Sequence, residues 1–409
     1  MSSLGVLRSP ETVLFAEGAL TALPDQVERF GSKVLVCTDP VVAGFPAVLQ
    51  ILDALKANGA EVAVYADTTP ELPISCVHDC IEKQADFTPD VVVGLGGGSS
   101  IDLAKLVALA YRHGRELSTF YGENLVPGPT VPIIAVPTTA GTGSEATPVA
   151  VLDDQGRELK VGISSRYLIP RVALVDPSLT LSCPAGLTAA SGADAMTHAI
   201  EAFTAIKRDP DPGLETAGVF VGKNDLSDMF ALEAVRLISR NLEAAVLEGA
   251  KADARNAMAK GSLLAGLSFG SAGTAAAHAI QYPIGAQTKT PHGLGVAALM
   301  PYVMAFNRSH CTAEYAQLAQ AMGSGAGSSD LMADQAVEMV ADLFSRVGIH
   351  KTLPELGVTP DQLDWIIDRS LLPARLVNNN PRPLDRDGIE EIVTNAMSGT
   401  LTLRRKETA

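Results

Sequence analysis

Four side chains in the C-terminal half have the types and spacings that hold a metal ion. "SGADAMTHAIEAF" carries Asp194 and His198 four residues apart, so on a helix both project from one face. Such a pair alone is more often a surface hydrogen bond than a metal site. His278 and His292, two of only seven histidines in 409 residues, change the balance. They bracket an expected helix break at Pro283–Gly285, and His278 lies in a run without Asp, Glu, Lys or Arg from Gly261 to Thr288. A neutral imidazole in an uncharged, tightly packed stretch needs a partner, and a metal ion supplies one. One carboxylate and three imidazoles leave a divalent ion a net charge of about +1, and these borderline donors suit Fe(II) or Zn(II). His78, His113, His310 and His350 stand in polar contexts and read as structural or solvated.

The uncharged run is long enough to span a bilayer. It is, however, rich in Gly261, Gly266, Gly270, Gly273 and Gly285, with Ser, Thr, Gln and Pro, and poor in large aliphatics. That composition inserts badly into lipid, so a buried small-residue helix is expected.

A second group of residues points to a nucleotide. "VVVGLGGGSSIDLAK" places Gly94, Gly96, Gly97, Gly98 and Ser99 between a strand and a helix start. Glycines let backbone approach a ligand, and the N–H groups and positive dipole end of the helix attract phosphate. A tight strand-to-helix turn needs glycine for geometry alone, so the turn does not decide. "VPTTAGTGSEAT" follows another strand and offers Thr138, Thr139, Thr142 and Ser144 as hydroxyl donors. Asp39 ends the strand "VLVCTD", where a carboxylate accepts from a ribose diol and repels a 2′-phosphate. Together these favour NAD over NADP.

The elements that must carry these residues fall into two kinds. Up to about residue 180, β-branched runs (33–39, 60–67, 90–95, 132–139) alternate with helical patterns, which implies a parallel sheet covered on both faces. Residues 146–163 read as a hairpin turning at Asp153–Gly156. Beyond that, helices are expected at 187–206, 226–247, 251–280, 293–306, 312–323, 330–347, 359–370 and 387–398. The segment 207–225 reads as a surface excursion. The expected architecture is an α/β N-terminal Rossmann-like domain (1–180, dinucleotide-binding) plus an all-α C-terminal domain (181–409, metal-binding).

Bulk properties exclude other classes. A net charge of −15 argues against nucleic acid or an anionic membrane as partner. The N-terminus "MSSLGVLRSPETVLF" does not have the pattern of a signal peptide. Five scattered cysteines fit a reduced cytoplasm, and Cys76-x-x-x-Cys80 lacks a second pair for a metal site.

The segments "GGGSSIDLAK", "PTTAGTGSE", "LVDPSLT…P…GADAMTHAIE" and "HAIQYPIGAQTKTPHGLG", in this order, resemble the signatures of the iron-containing (group III) alcohol dehydrogenases over essentially the whole chain. The resemblance implies a dehydroquinate synthase-like architecture, with a metal in the cleft between an NAD-binding and a helical domain, and a homodimer or higher homo-oligomer. Carried over residue by residue, it implies Asp194, His198, His278 and His292 as metal ligands. It implies Asp39, Gly97, Gly98, Ser99, Thr138, Thr139, Ser144 and Lys160 as cofactor contacts. The expected reaction passes hydride between a small primary alcohol, diol or hydroxy acid and the nicotinamide, with the metal polarising the substrate oxygen. Many relatives carry histidine where this chain has Tyr282, whose phenol is a poorer base near neutral pH. Tyr282 is therefore read as lining the pocket. Lys289, three residues before His292, is a candidate anchor for a substrate carboxylate or sulfonate. The rival reading is a dehydroquinate-synthase-like lyase, which uses NAD and a metal without net oxidation.

Overall fold

The computed structural model describes residues 4–157 and 159–403. The strands are β1 (Thr12–Phe15), β2 (Lys33–Cys37), β3 (Glu61–Tyr65), β4 (Val91–Gly96), β5 (Gly122–Glu123), β6 (Ile133–Pro137), β7 (Val149–Asp154), β8 (Leu159–Ser164) and β9 (Val172–Val175). Among them run the helices α1 (Leu23–Glu28), α2 (Pro46–Ala57), α3 (Ile74–Lys83) and α4 (Gly98–His113). Six strands form a wholly parallel sheet in the order β1-β9-β6-β4-β2-β3. Successive residues of each strand face opposite sides, and both sides are covered. Val34, Val36, Val91 and Val93 meet Leu23 and Val27 of α1 and Val48, Ile51 and Leu55 of α2. Leu35, Cys37 and Val92 meet Val77 and Ile81 of α3 and Leu103 and Leu106 of α4. Each fully buried aliphatic here contributes roughly 1.5–3 kcal/mol, which is why these strands read as unbroken apolar runs rather than as an alternation. The hairpin is present as β7 and β8, antiparallel with Asp153 opposite Lys160, and β5 pairs parallel to β8.

The remaining helices are α5 (Ala185–Thr204), α6 (Leu214–Ala217), α7 (Asp225–Leu247), α8 (Ala252–Ala272), α9 (Ala276–Thr288), α10 (His292–Asn307), α11 (Thr312–Met322), α12 (Ser329–Arg346), α13 (Leu363–Ser370), α14 (Ala374–Asn378) and α15 (Arg386–Ser398). The chain divides into two compact units: Arg8–Cys183 with Thr216–Val219, and Pro184–Glu215 with Phe220–Ala409 and the first residues through Leu7.

Three sequence expectations need correction. The helix expected over 251–280 is two helices, α8 and α9, bent by 102°. The break falls at Gly273, whose φ of +81° suits glycine and ends α8. The break expected at Pro283–Gly285 does not occur, because α9 runs through both. Burial of this helix outweighs the one hydrogen bond that Pro283 cannot donate. The excursion 207–225 is only partly superficial: residues 207–213 are exposed, but Val219, Phe220 and Val221 are buried. Among the described residues no single helix is long and apolar enough to cross a membrane, and the bent pair α8–α9, which passes by length and composition, is largely buried within the protein.

Candidate active site

Helix α5 presents Asp194, His198 and Glu201 at spacings of four and three, hence on one face, and all three are buried. Helix α9 opens with His278 in its first turn, and His292 is the first residue of α10. One ligand-capable atom each of Asp194, His278 and His292 lies within 4.8 Å of the other two. Asp194 Oδ1 is 3.9 Å from His278 Nε2 and 3.7 Å from His198 Nε2. The His198 ring is sandwiched between Phe269 at 4.2 Å and His278 at 4.8 Å, and the His278 and His292 rings are 5.3 Å apart. His198 thus reaches Asp194 without joining the tight three-residue set. Tyr282 stands one helical turn beyond His278, half-buried, its ring 6.3 Å from that of His292. Lys289 is exposed at the left-handed C-cap of α9, its N–H bonded to the Gly285 carbonyl.

Glu201 is the residue that sequence reasoning missed. Its Oε2 lies 2.6 Å from His278 Nδ1 and also accepts from the Ala275 N–H, while Oε1 accepts from the Ala277 N–H. With the proton on Nδ1, the free lone pair of His278 is on Nε2, a buried atom with no hydrogen-bond partner that lies on the Asp194 side. A carboxylate behind an imidazole is how metal-binding histidines are oriented. The donor set, the convergence and the bare Nε2 fit a divalent ion. The available signal was the extension of Asp-x-x-x-His by Glu three residues further along the same face.

Most of the residues that the sequence proposed for a nucleotide lie in two loops that pack on each other. In the sheet, β3 and β4 lie on opposite sides of β2, so the chain changes direction between β2 and β4, the place where open α/β sheets bind ligands. Asp39 follows β2, and Gly97 and Gly98 follow β4 as the N-cap and first residue of the 16-residue α4, with Ser99 next. Asp39 Oδ1 accepts from the N–H groups of Val41 and Val42, both at 3.0 Å, and so shapes the turn after β2; Oδ2 lies 3.3 Å from where a Gly96 Cβ would stand. The threonine loop packs on the glycine turn. The Thr138 N–H donates to the Gly96 carbonyl at 2.9 Å, and Thr139 sits 3.6 Å from a Gly97 Cβ position. A Cβ on Gly98 would meet Thr142 Cγ2 at 2.6 Å, a close approach that any larger residue blocks. The Ser144 hydroxyl donates to Asp102, and Lys160 is ion-paired with Glu71, so both already have protein partners.

Burial pushes the Glu145 carboxyl of this loop up to about 7, only partly opposed by its own backbone N–H and by Lys105. A carboxyl held above its usual value stabilises the fold at acid pH and loses that contribution as pH rises through 7. Glu145→Gln should therefore gain on the wild type by up to about 3 kcal/mol between pH 4.5 and 7. Urea unfolding midpoints at pH 4.8 and 7.5 check this: equal differences at both pH values would refute it.

Comparison with known proteins places the chain in a family. The sequence profile described as iron-containing alcohol dehydrogenase matches residues 10–177, and that of the Fe-containing alcohol dehydrogenase family, C-terminal, matches residues 216–397. Long-chain-alcohol dehydrogenase 1 of Geobacillus thermodenitrificans is 37% identical over 393 residues, 94% of each chain. The crystal structure of a 1,3-propanediol oxidoreductase superposes with a TM-score of 0.89 at 31% identity, covering 96% of this chain and all of that one. Sulfoacetaldehyde reductase from Bifidobacterium kashiwanohense, solved in complex with NAD+, gives 0.82 at 27% identity, covering 97% of this chain and all of that one. The chain belongs to the iron-containing alcohol dehydrogenases. It is thus an oxidoreductase that interconverts alcohols and aldehydes, and the lyase reading falls away.

Proposed function

We propose that this enzyme is an NAD-linked, divalent-metal-dependent dehydrogenase of small primary alcohols, diols or hydroxy acids. The helical unit would hold the metal and the α/β unit the dinucleotide. The observation that carries this reading is the convergence of Asp194, His278 and His292, with His278 pinned by Glu201. Asp194, His198, His278 and His292 would be the ligands, for Fe(II) or Zn(II). An ion bound there would supply a Lewis acid for the alcohol oxygen, and NAD would supply the hydride acceptor. Asp194 would contribute the one negative charge of this donor set, and the imidazoles none, which would leave an ion electrophilic. Gly97, Gly98, Ser99, Thr138 and Thr139 would surround the pyrophosphate, Asp39 would accept from a ribose diol, and Ser144 and Lys160 would flank the same site. An acidic chain with five thiols suits the cytoplasm, and a homo-oligomer, at least a dimer, is our reading of its assembly.

The test is NADH production from C2–C6 alcohols, diols and ω-hydroxy acids after Fe(II) or Zn(II) reconstitution, with a chelated control. Turnover that requires the metal is expected; none with any substrate, or turnover indifferent to chelation, would defeat the proposal. Including Lys289→Ala tests the anchor role, because an equal preference for short aldehydes over their ω-carboxylates in both proteins removes it. Tyr282, one turn from His278, would line the substrate pocket as a hydrogen-bond donor. Tyr282→Phe should lower kcat/KM about 3–10-fold, the worth of one hydrogen bond. Unchanged turnover and an unchanged pH profile would leave Tyr282 a packing residue.

A further inference from the structure

Helices α9 and α10, which carry His278 and His292, meet through the side chain of Gln281. It stands three residues after His278, and the glycine it meets, Gly295, stands three after His292, so the contact lies one turn past each imidazole. Gln281 is 2% exposed, and its Oε1 accepts no hydrogen bond among the described residues. The amide occupies the space of a side chain at 295: a Cβ there would overlap Oε1 and Cδ and come within 2.5 Å of Nε2. Nε2 also lies 3.0 Å from a Gly285 Cβ position on its own helix. A flat amide laid on two glycines is thus the spacer between α9 and α10 at this level. Core packing alone does not call for it. A buried amide oxygen without a donor costs stability that an apolar side chain avoids, and glycine inside a helix is less stable than alanine. On its other side α10 abuts α5, where a Gly293 Cβ would meet the Ala190 carbonyl oxygen at 2.7 Å and Asp194 Cβ at 3.1 Å. His292 is seated between these two close approaches, one toward the helix of Asp194 and the other toward the helix of His278.

We propose that Gln281 is a positioning residue for the metal: its amide, laid on Gly295, holds α10 at the distance from α9 that lets His278 and His292 reach one ion. This rests on the reading of those histidines as ligands. Gln281 is not one of the donors and acts only through the approach of the two helices. Metal–ligand distances tolerate only about 0.2 Å, so a methyl group added at 295, which has to push the amide or the helix aside, should be felt first in metal affinity.

The test compares the full-length wild type with Gly295→Ala and with the double variant Gln281→Ala/Gly295→Ala. Zn(II) affinity is read by competition with a chelator, site geometry by the absorption spectrum of bound Co(II), and stability by urea unfolding of the metal-free protein. Gly295→Ala should weaken Zn(II) about 10–100-fold, the range for changes just behind the ligands, and alter the Co(II) spectrum. Removing the amide makes room for the methyl, so the double variant should bind Zn(II) at least about tenfold more tightly than Gly295→Ala. Zn(II) affinity of folded Gly295→Ala within about threefold of wild type overturns the proposal and leaves Gln281 a packing residue, wherever the urea midpoint falls. A double variant no tighter than Gly295→Ala also overturns it, because the amide is then not what the methyl strikes. If Gly295→Ala does not fold, Gln281→Met, which puts a thicker thioether in place of the flat amide, decides alone by the same limit. A wild type that holds no Zn(II) overturns the metal reading and this proposal together; tight binding undiminished in the variants overturns only the proposal.

Discussion

His278→Ala is expected to lower NAD-linked turnover by at least about 10³-fold, because a Lewis acid contributes several kcal/mol and each 1.36 kcal/mol is a factor of ten. The buried, unpartnered Nε2 of His278 is aimed toward Asp194 and belongs to the set that includes His292. Removing it leaves two donors in the tight cluster, with only the more distant His198 beside them, and the ion should be held far more weakly. His198→Ala should be milder, since His198 stacks on His278 and reaches Asp194 but lies outside that set. Metal content by elemental analysis checks the ranking independently of activity. So does the thermal shift on adding metal, which for a bound ion at 100 times its Kd corresponds to about 2.7 kcal/mol. NADH binding should be untouched in both variants, because the glycine and threonine loops proposed to hold it lie in the other unit. The assignment fails if His278→Ala keeps stoichiometric metal and turnover within about tenfold of wild type.

The parts of this protein legible in its sequence are those where one local rule dominates. Buried parallel strands read as apolar runs because both faces are covered, and the glycine turn reads as a close approach because Thr142 packs where a Cβ would stand. The pair Asp194–His198 follows from helical periodicity alone. The bend at Gly273 was not legible. It lies in an uncharged, small-residue stretch that continues on both sides of it, and Pro283, the obvious local breaker, lies inside a helix. Local propensity pointed to Pro283 and tertiary packing chose Gly273. That bend has a functional consequence, since it sets the start of α9, and so His278, against Glu201 of α5. Strand β1 was invisible for a related reason: its four residues pair only with β9, from more than 150 positions away. Likewise Asp102 and Lys105 look like an ordinary polar spacing on a helix. The burial of Lys105 and the partners of Asp102 show only once β7 and its preceding loop lie against α4.

Glu201→Gln is expected to weaken metal binding about 10–100-fold, the usual effect of losing the partner that orients a metal-binding histidine. Helix α9 has no capping side chain of its own at Ala275, and the carboxylate of Glu201 does that work from α5. Both oxygens are in use: Oε1 takes the Ala277 N–H at 2.7 Å, and Oε2 takes the Ala275 N–H at 2.9 Å and His278 Nδ1 at 2.6 Å. Glutamine keeps the volume but offers one acceptor oxygen, so its amide N–H must face a backbone N–H or the histidine proton. In a site this buried, the donor left unsatisfied costs about 1–3 kcal/mol. Two separate readouts follow. The metal-free variant should unfold at lower urea because the cap is broken, and the imidazole, free to rotate or change tautomer, should bind metal more weakly even under conditions where the variant is fully folded. A shortened carboxylate, Glu201→Asp, should also fail, because it cannot span from α5 to the first turn of α9. Were metal affinity in folded Glu201→Gln to stay within about threefold of wild type, Glu201 would be a helix cap and nothing more. The bare Nε2 of His278 would then need another explanation.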